Sequence, residues 1–184
     1  AIGLSCVCSV TGFVMYLRDH HHKEELEKQA KATRDEAERE DIEKDIQTTK
    51  DHWKGQVDWV TMGDGTEQGT ALRVGYRIDV LNGVMFVMVT FIATLIHIFS
   101  IGYMAEEKQV IVEDHQVHGE GGGHFTRRGR YNRFFMFFSL FCFSMLNLIL
   151  ADNLFQVFVS WELVGICSFL LIGFYYERQC ASHA

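Results

Sequence analysis

The chain has 184 residues, 48% hydrophobic and 22% charged, with a net charge of −7. The charges are segregated: residues 18–58 hold 22 of the 41 Asp, Glu, Lys and Arg, residues 80–105 hold none, and residues 134–176 hold two. That pattern excludes a single soluble core of mixed composition, and the long Phe-rich apolar stretches exclude wholesale disorder.

Four apolar segments predict an all-α integral membrane protein, a bundle of about four transmembrane helices with a long charged helix outside the membrane. The first segment, residues 1–17, is slightly short for a full span. It is expected to be a truncated helix, with both ends of the chain lying inside a longer protein. Residues 18–56 form a charged helical insertion, read as one helix to about residue 52. Opposite charges fall at i,i+4 in Glu24–Lys28, Glu27–Lys31, Asp35–Arg39 and Glu40–Lys44. Its apolar residues (Leu26, Ala30, Ala37, Ile42, Ile46) are too few and small for a coiled-coil seam, so a solvated helix is expected. Residues 18–79 carry 16 acids against 11 Lys and Arg, which argues against a nucleic-acid partner.

Residues 57–79 are an extramembrane loop or hairpin, and Trp53, Trp59 and the surrounding Gly and Thr suggest a short strand there. The second span is residues 80–105. A His-, Gly- and Arg-rich loop follows at 106–133, with GEGGGH at 119–124 and then Arg127, Arg128, Arg130 and Arg133. The third span, 134–151, has six Phe in its first ten positions. The fourth is 154–176, and residues 177–184 are a tail. Only Asp152 and Asn153 part the third span from the fourth, which predicts a tight antiparallel helical hairpin. At about 1.5 Å per residue, the last three spans reach roughly 27–39 Å, matching a hydrocarbon core of about 30 Å. Proline is absent, so none of the helices is interrupted by it. Tyr103, Tyr131, Tyr175 and Tyr176 sit near span ends, where amphipathic rings anchor at the interface. The arginine cluster places loop 106–133 and the tail on the cytoplasmic side, and residues 18–79 on the other.

Glu162 is the most informative residue for chemistry. It lies eight positions into an apolar span, about 12 Å deep, where a charge costs at least about 2.5–3.5 kcal/mol. A carboxyl kept there usually faces protein and serves a proton or ion path, and Gly165, Ser168 and Gly173 on the same helix allow close packing. His97, in the second span, is a candidate proton relay, although an interfacial histidine bonded to a neighbour is an equal reading. Asp152, at the hairpin tip, is a candidate group for protons to enter by, against the alternative of a helix cap. His20, His21 and His22, and the set His115, His118 and His124, match no tight ligand spacing. No metal and no cofactor is expected. GEGGGH follows no predicted strand and lacks the Lys-Ser/Thr of a phosphate loop. The five cysteines (Cys6, Cys8, Cys142, Cys167, Cys180) include no CxxC pair and no disulfide framework.

The blocks YNRFF (131–135), LADN (150–153) and WELVGICSFLLIGFYY (161–176) closely resemble the largest antiporter-like membrane subunit of respiratory complex I, the subunit L or mitochondrial subunit 5 type. WVTMGDG (59–65) and YRIDVLNGVMF (76–86) resemble that family's loop and the start of its third helix, with Asn82 where the family usually has Asp. The resemblance covers residues 1–17 and 57–184, roughly the family's second to fifth helices. Stretches 18–56 and 106–126 look like insertions. The resemblance implies a proton-translocating subunit of NADH:quinone oxidoreductase, an enzyme subunit without a redox centre of its own. Other membrane-arm subunits and the lipid bilayer would be its partners, with NADH and quinone bound elsewhere. It implies a multi-pass protein of the bacterial inner membrane, or alternatively of the mitochondrial inner membrane. Glu162 falls on the family's essential glutamate, which faces a lysine on a later helix. Subunits of multisubunit Na+/H+ antiporters and membrane-bound hydrogenases share the WE motif. A non-transporting membrane anchor is the reading from another class.

Overall fold

The computed structural model describes residues 2–33, 35–62, 70–118 and 124–177. Five helices and two β-hairpins follow in the order α1 (Ile2–Ala32), α2 (Glu36–His52), β1 (Lys54–Met62), β2 (Thr70–Arg77), α3 (Val80–Tyr103), β3 (Val112–His118), β4 (His124–Arg127), α4 (Tyr131–Leu150) and α5 (Leu154–Ile172). Four of the helices are long and apolar enough to cross a membrane, and no more than 17% of any such span is buried. Side chains such as Phe91, Phe99, Phe143, Phe158 and Phe169 are more than half exposed. In water that surface would be untenable, whereas lipid solvates it.

The chain divides into two compact units: Ala1–Phe91 with Leu146–Phe158, and Ile92–Met145 with Val159–Ala184. In the first, α1 runs from its apolar part straight into the charged part, since neither proline nor a turn residue stops it before Ala32. The charged stretch is not the one long helix expected. One helix ends at Ala32 and another begins at Glu36; Asp35 is extended (φ −81°, ψ 122°) and its side chain accepts the Ala37 amide. This N-cap starts α2, which runs back along α1 as a helical hairpin. Trp53 closes that hairpin: its ring meets Tyr16 edge-on at 5.3 Å, and its indole N–H donates to Asp19 at 3.2 Å. Of the anticipated charge pairs only Glu40–Lys44 forms, at 3.9 Å, while Lys23–Glu27 and Arg39–Glu43 form instead. On exposed helices such pairs exchange at a cost of tenths of a kcal/mol.

β1 and β2 pair antiparallel from Lys54 opposite Arg77 to Met62 opposite Thr70, with a register shift between Asp58 and Val60. The intervening Trp59 lies 6.4 Å from the Phe155 ring. Deeper in this unit, the Ser9 and Thr90 hydroxyls share a buried hydrogen bond of 2.7 Å between α1 and α3. Gly83 admits the ring of Phe13, which a Cβ there would meet at 2.5 Å.

The second unit is held by aromatic packing. Phe134 meets Phe174 edge-on at 5.5 Å, and Met104 is fully buried with the Tyr175 hydroxyl 3.6 Å from its sulfur. Ser144 on α4 and Cys167 on α5 are fully buried, and the Ser144 hydroxyl donates to the Phe141 carbonyl at 2.8 Å. The second connection, expected as a loop, contains a 3-10 turn at Glu106–Lys108 and the β3–β4 hairpin. GEGGGH lies almost wholly outside the described residues.

Candidate functional site

Glu162 stands at the ninth position of the 19-residue α5, the middle of an apolar helix with no other charged residue. Its side chain is exposed, and it makes no hydrogen bond or ion pair among the described residues. The face of small residues beside it is equally open. A Cβ at Gly165 or Gly173 would meet nothing within 4 Å. The packed interior expected around Glu162 is therefore not supplied by the described residues.

His97 is partly buried on α3, stacked on Phe138 with ring centroids 4.2 Å apart. Its Nδ1 lies 2.8 Å from the Ala93 carbonyl oxygen. A carbonyl can only accept, so Nδ1 is the donor in this contact. No hydrogen bond links His97 to Glu162.

Asp152 lies in the three-residue link between α4 and α5, and its side chain is only 6% exposed. It takes an ion pair from Arg77 at 3.5 Å and a hydrogen bond from the Gln56 amide. The cap that starts α5 is Asn153, not Asp152: its Oδ1 accepts the Gln156 amide at 2.8 Å. The link and the first turn of α5 are bound to β2 by three further contacts. Asn153 donates to the Arg73 carbonyl at 2.8 Å, the Gly75 N–H donates to Gln156 at 3.0 Å, and Tyr76 bridges Ala151. Gln156 also donates to Asn147 at 2.9 Å. A β-hairpin of unit one is thereby docked on the turn between two spans.

Sequence reading did not anticipate the buried ion pair of Glu107 and Arg127. Both side chains are 5% exposed. Arg127 Nη1 donates to Glu107 Oε2 at 2.7 Å, Nη2 donates to Oε1, and the Arg130 amide adds a third hydrogen bond at 3.1 Å. Burial pushes the Glu107 carboxyl up. Hydrogen bonds from Arg127 and the Arg130 amide, with the charge of Arg127, outweigh burial and hold it below the usual carboxylate range. Arg130 in turn pairs with Glu177 and reaches the Tyr176 hydroxyl at 3.3 Å. Two of the four clustered arginines are thus spent on internal pairs. Their partners lie 20 and 47 residues away in sequence, beyond any local spacing rule.

His20 and His21 lie 3.7 and 3.8 Å from Glu24 and Glu25 on α1. Among the described residues no three His, Cys, Asp or Glu are grouped as a metal site would require.

Four apolar helices with one carboxyl at mid-span define a multi-pass membrane protein. Residues 65–110 match the family model for the N-terminus of chain 5 of NADH-ubiquinone oxidoreductase (complex I). NADH-quinone oxidoreductase subunit L of Neisseria meningitidis serogroup A is 40% identical over 126 residues, 68% of this chain and 15% of that protein. The Rickettsia typhi subunit L is 43% identical over 107 residues, 58% of this chain and 13% of that protein. The chloroplastic NAD(P)H-quinone oxidoreductase subunit 5 of Anthoceros angustus is 41% identical over 126 residues, 68% of this chain and 14% of that protein. The resemblance to complex I subunit L and chain 5 proteins is borne out, and the chain is a relative of them. It spans about one seventh of their length.

Proposed function

We propose that this chain is part of a proton-translocating membrane-arm subunit of NADH:quinone oxidoreductase, with Glu162 as an intramembrane proton relay. One observation carries the reading. A carboxyl sits in the middle of an apolar helix, exposed, with no polar contact among the described residues. Facing lipid, its charge would cost about 2.5–3.5 kcal/mol or more. In this reading it faces protein beyond the described residues, and a cation there would favour its ionised form. Protonation of Glu162 then follows the position or charge of that cation, which is the property a relay needs. The names of the relatives support the complex. His97, bonded through Nδ1 to the Ala93 carbonyl, and Asp152, held by Arg77, are further proton-carrying groups of this reading.

The subunit assignment, distinct from the relay, is tested by affinity purification of the tagged full-length protein from its own membranes. NADH:quinone oxidoreductase activity should copurify with it. A preparation that holds the protein and its membrane partners but oxidises no NADH would refute the assignment.

A further inference from the structure

At the first turn of α4 a cavity of about 750 Å³ opens between the 3-10 turn at Glu106–Lys108 and residues 128–133. At its edge two backbones approach closely: a Cβ at Gly129 would meet the carbonyl oxygens of Glu107 and Gln109 at 2.2 and 2.3 Å. Five charged side chains line it: Glu107, Lys108, Arg128, Arg130 and Arg133. Glu107 is neutralised by Arg127, and Arg130 by Glu177. Lys108 lies 4.9 Å over the Tyr131 ring, and Arg133 5.3 Å over Phe137. These ring contacts position the two cations without cancelling their charge. Lys108, Arg128 and Arg133 have no carboxylate partner among the described residues. Beside them, outside any span, Val110 is 81% and Ile111 65% exposed.

We propose that this pocket binds the phosphate of an anionic phospholipid, with Val110 and Ile111 seated in the headgroup layer next to it. Three cations without a carboxylate partner make the pocket attractive to an anion, and arginine forks match phosphate oxygens. The first turn of a 20-residue helix adds backbone N–H groups of the same polarity. A soluble phosphate would satisfy the cations but leave the two aliphatic side chains in water. A lipid satisfies both, and the pocket already lies where a membrane span begins. The inference needs only the membrane reading and does not depend on proton transport.

The test uses the full-length protein in its assembled complex, reconstituted in phosphatidylcholine vesicles with and without phosphatidylglycerol. Native mass spectrometry reads the lipid retained after extraction. Wild type should retain phosphatidylglycerol in preference to phosphatidylcholine, and excess inorganic phosphate should not displace it. Arg128→Gln with Arg133→Gln should weaken retention about 30-fold, from about fivefold per cation removed at a membrane surface. The corresponding double Lys variant should retain most of it. Both arginines are exposed, so neither pair of changes should disturb folding. As a second reading, a fluorophore at Val110→Cys should be quenched by lipid-borne nitroxide more than by aqueous iodide. Equal retention by wild type and the double Gln variant would overturn the proposal. So would equal retention of the two lipids, displacement by inorganic phosphate, or a label quenched only from water.

Discussion

Replacing Glu107 with Gln removes the anion from a pair whose two side chains are both 5% exposed. Arg127 would keep its charge, lose two charge-assisted hydrogen bonds, and already has an Nε without a partner among the described residues. Breaking a buried pair from one side costs about 3–5 kcal/mol, because the remaining charge is left without compensation. Glu107→Gln should therefore destabilise the full-length subunit by about that much in an equilibrium unfolding assay in mixed micelles. Removing both charges, as Glu107→Met with Arg127→Met, should cost far less than the two single changes together. The same pair predicts a pH dependence. The Glu107 carboxyl lies below its ordinary value of 4.5, so its contribution is full above that value. It is lost as the pH falls from there through the lowered native value. A cost below about 1 kcal/mol for Glu107→Gln, or a double variant as unstable as the sum of the singles, would refute the reasoning.

Thr90→Val removes the hydroxyl that meets Ser9 and should cost about 0.6 kcal/mol, the usual worth of such bonds between membrane helices, measured in the same unfolding assay. Asp152→Asn should loosen the docking of β1–β2 on the α4–α5 link by about 1–2 kcal/mol, seen as faster proteolysis within residues 54–77. Deleting residues 20–50 should leave NADH-driven proton pumping in place, because the stretch is mostly exposed ion-paired helix. Complete loss of pumping in a normally assembled complex would contradict this.

The apolar spans were legible because lipid imposes a blunt rule on composition and length. The link at residues 151–153 was equally plain, since α4 and α5 leave no room for a longer one. The break between α1 and α2 was not read, although Asp35 followed three positions on by Glu38 is a capping-box pattern that marks a helix start. The unbroken run of charges hid it, because i,i+4 pairing is compatible with either one helix or two. The Glu107–Arg127 pair had no local signal. Glu107 is flanked by Glu106 and Lys108, and its burial comes with contacts to residues 127–130, some 20 positions on. At Glu162 the position within a span was legible from sequence. Its exposure was not, because nothing in this chain's own sequence says which neighbours are present.

The central claim is that Glu162 carries protons, and the assembled complex with Glu162→Gln tests it most directly. Glutamine keeps the shape and the hydrogen-bonding capacity but cannot take up or release the proton. The measurement is protons translocated per NADH oxidised in sealed vesicles, with the amount of assembled complex matched to wild type. The account predicts normal assembly with strongly reduced translocation, and a milder loss for Glu162→Asp, where a titrating group remains one methylene away. Translocation at the wild-type ratio by the Gln variant would contradict it and leave Glu162 as a structural contact between helices.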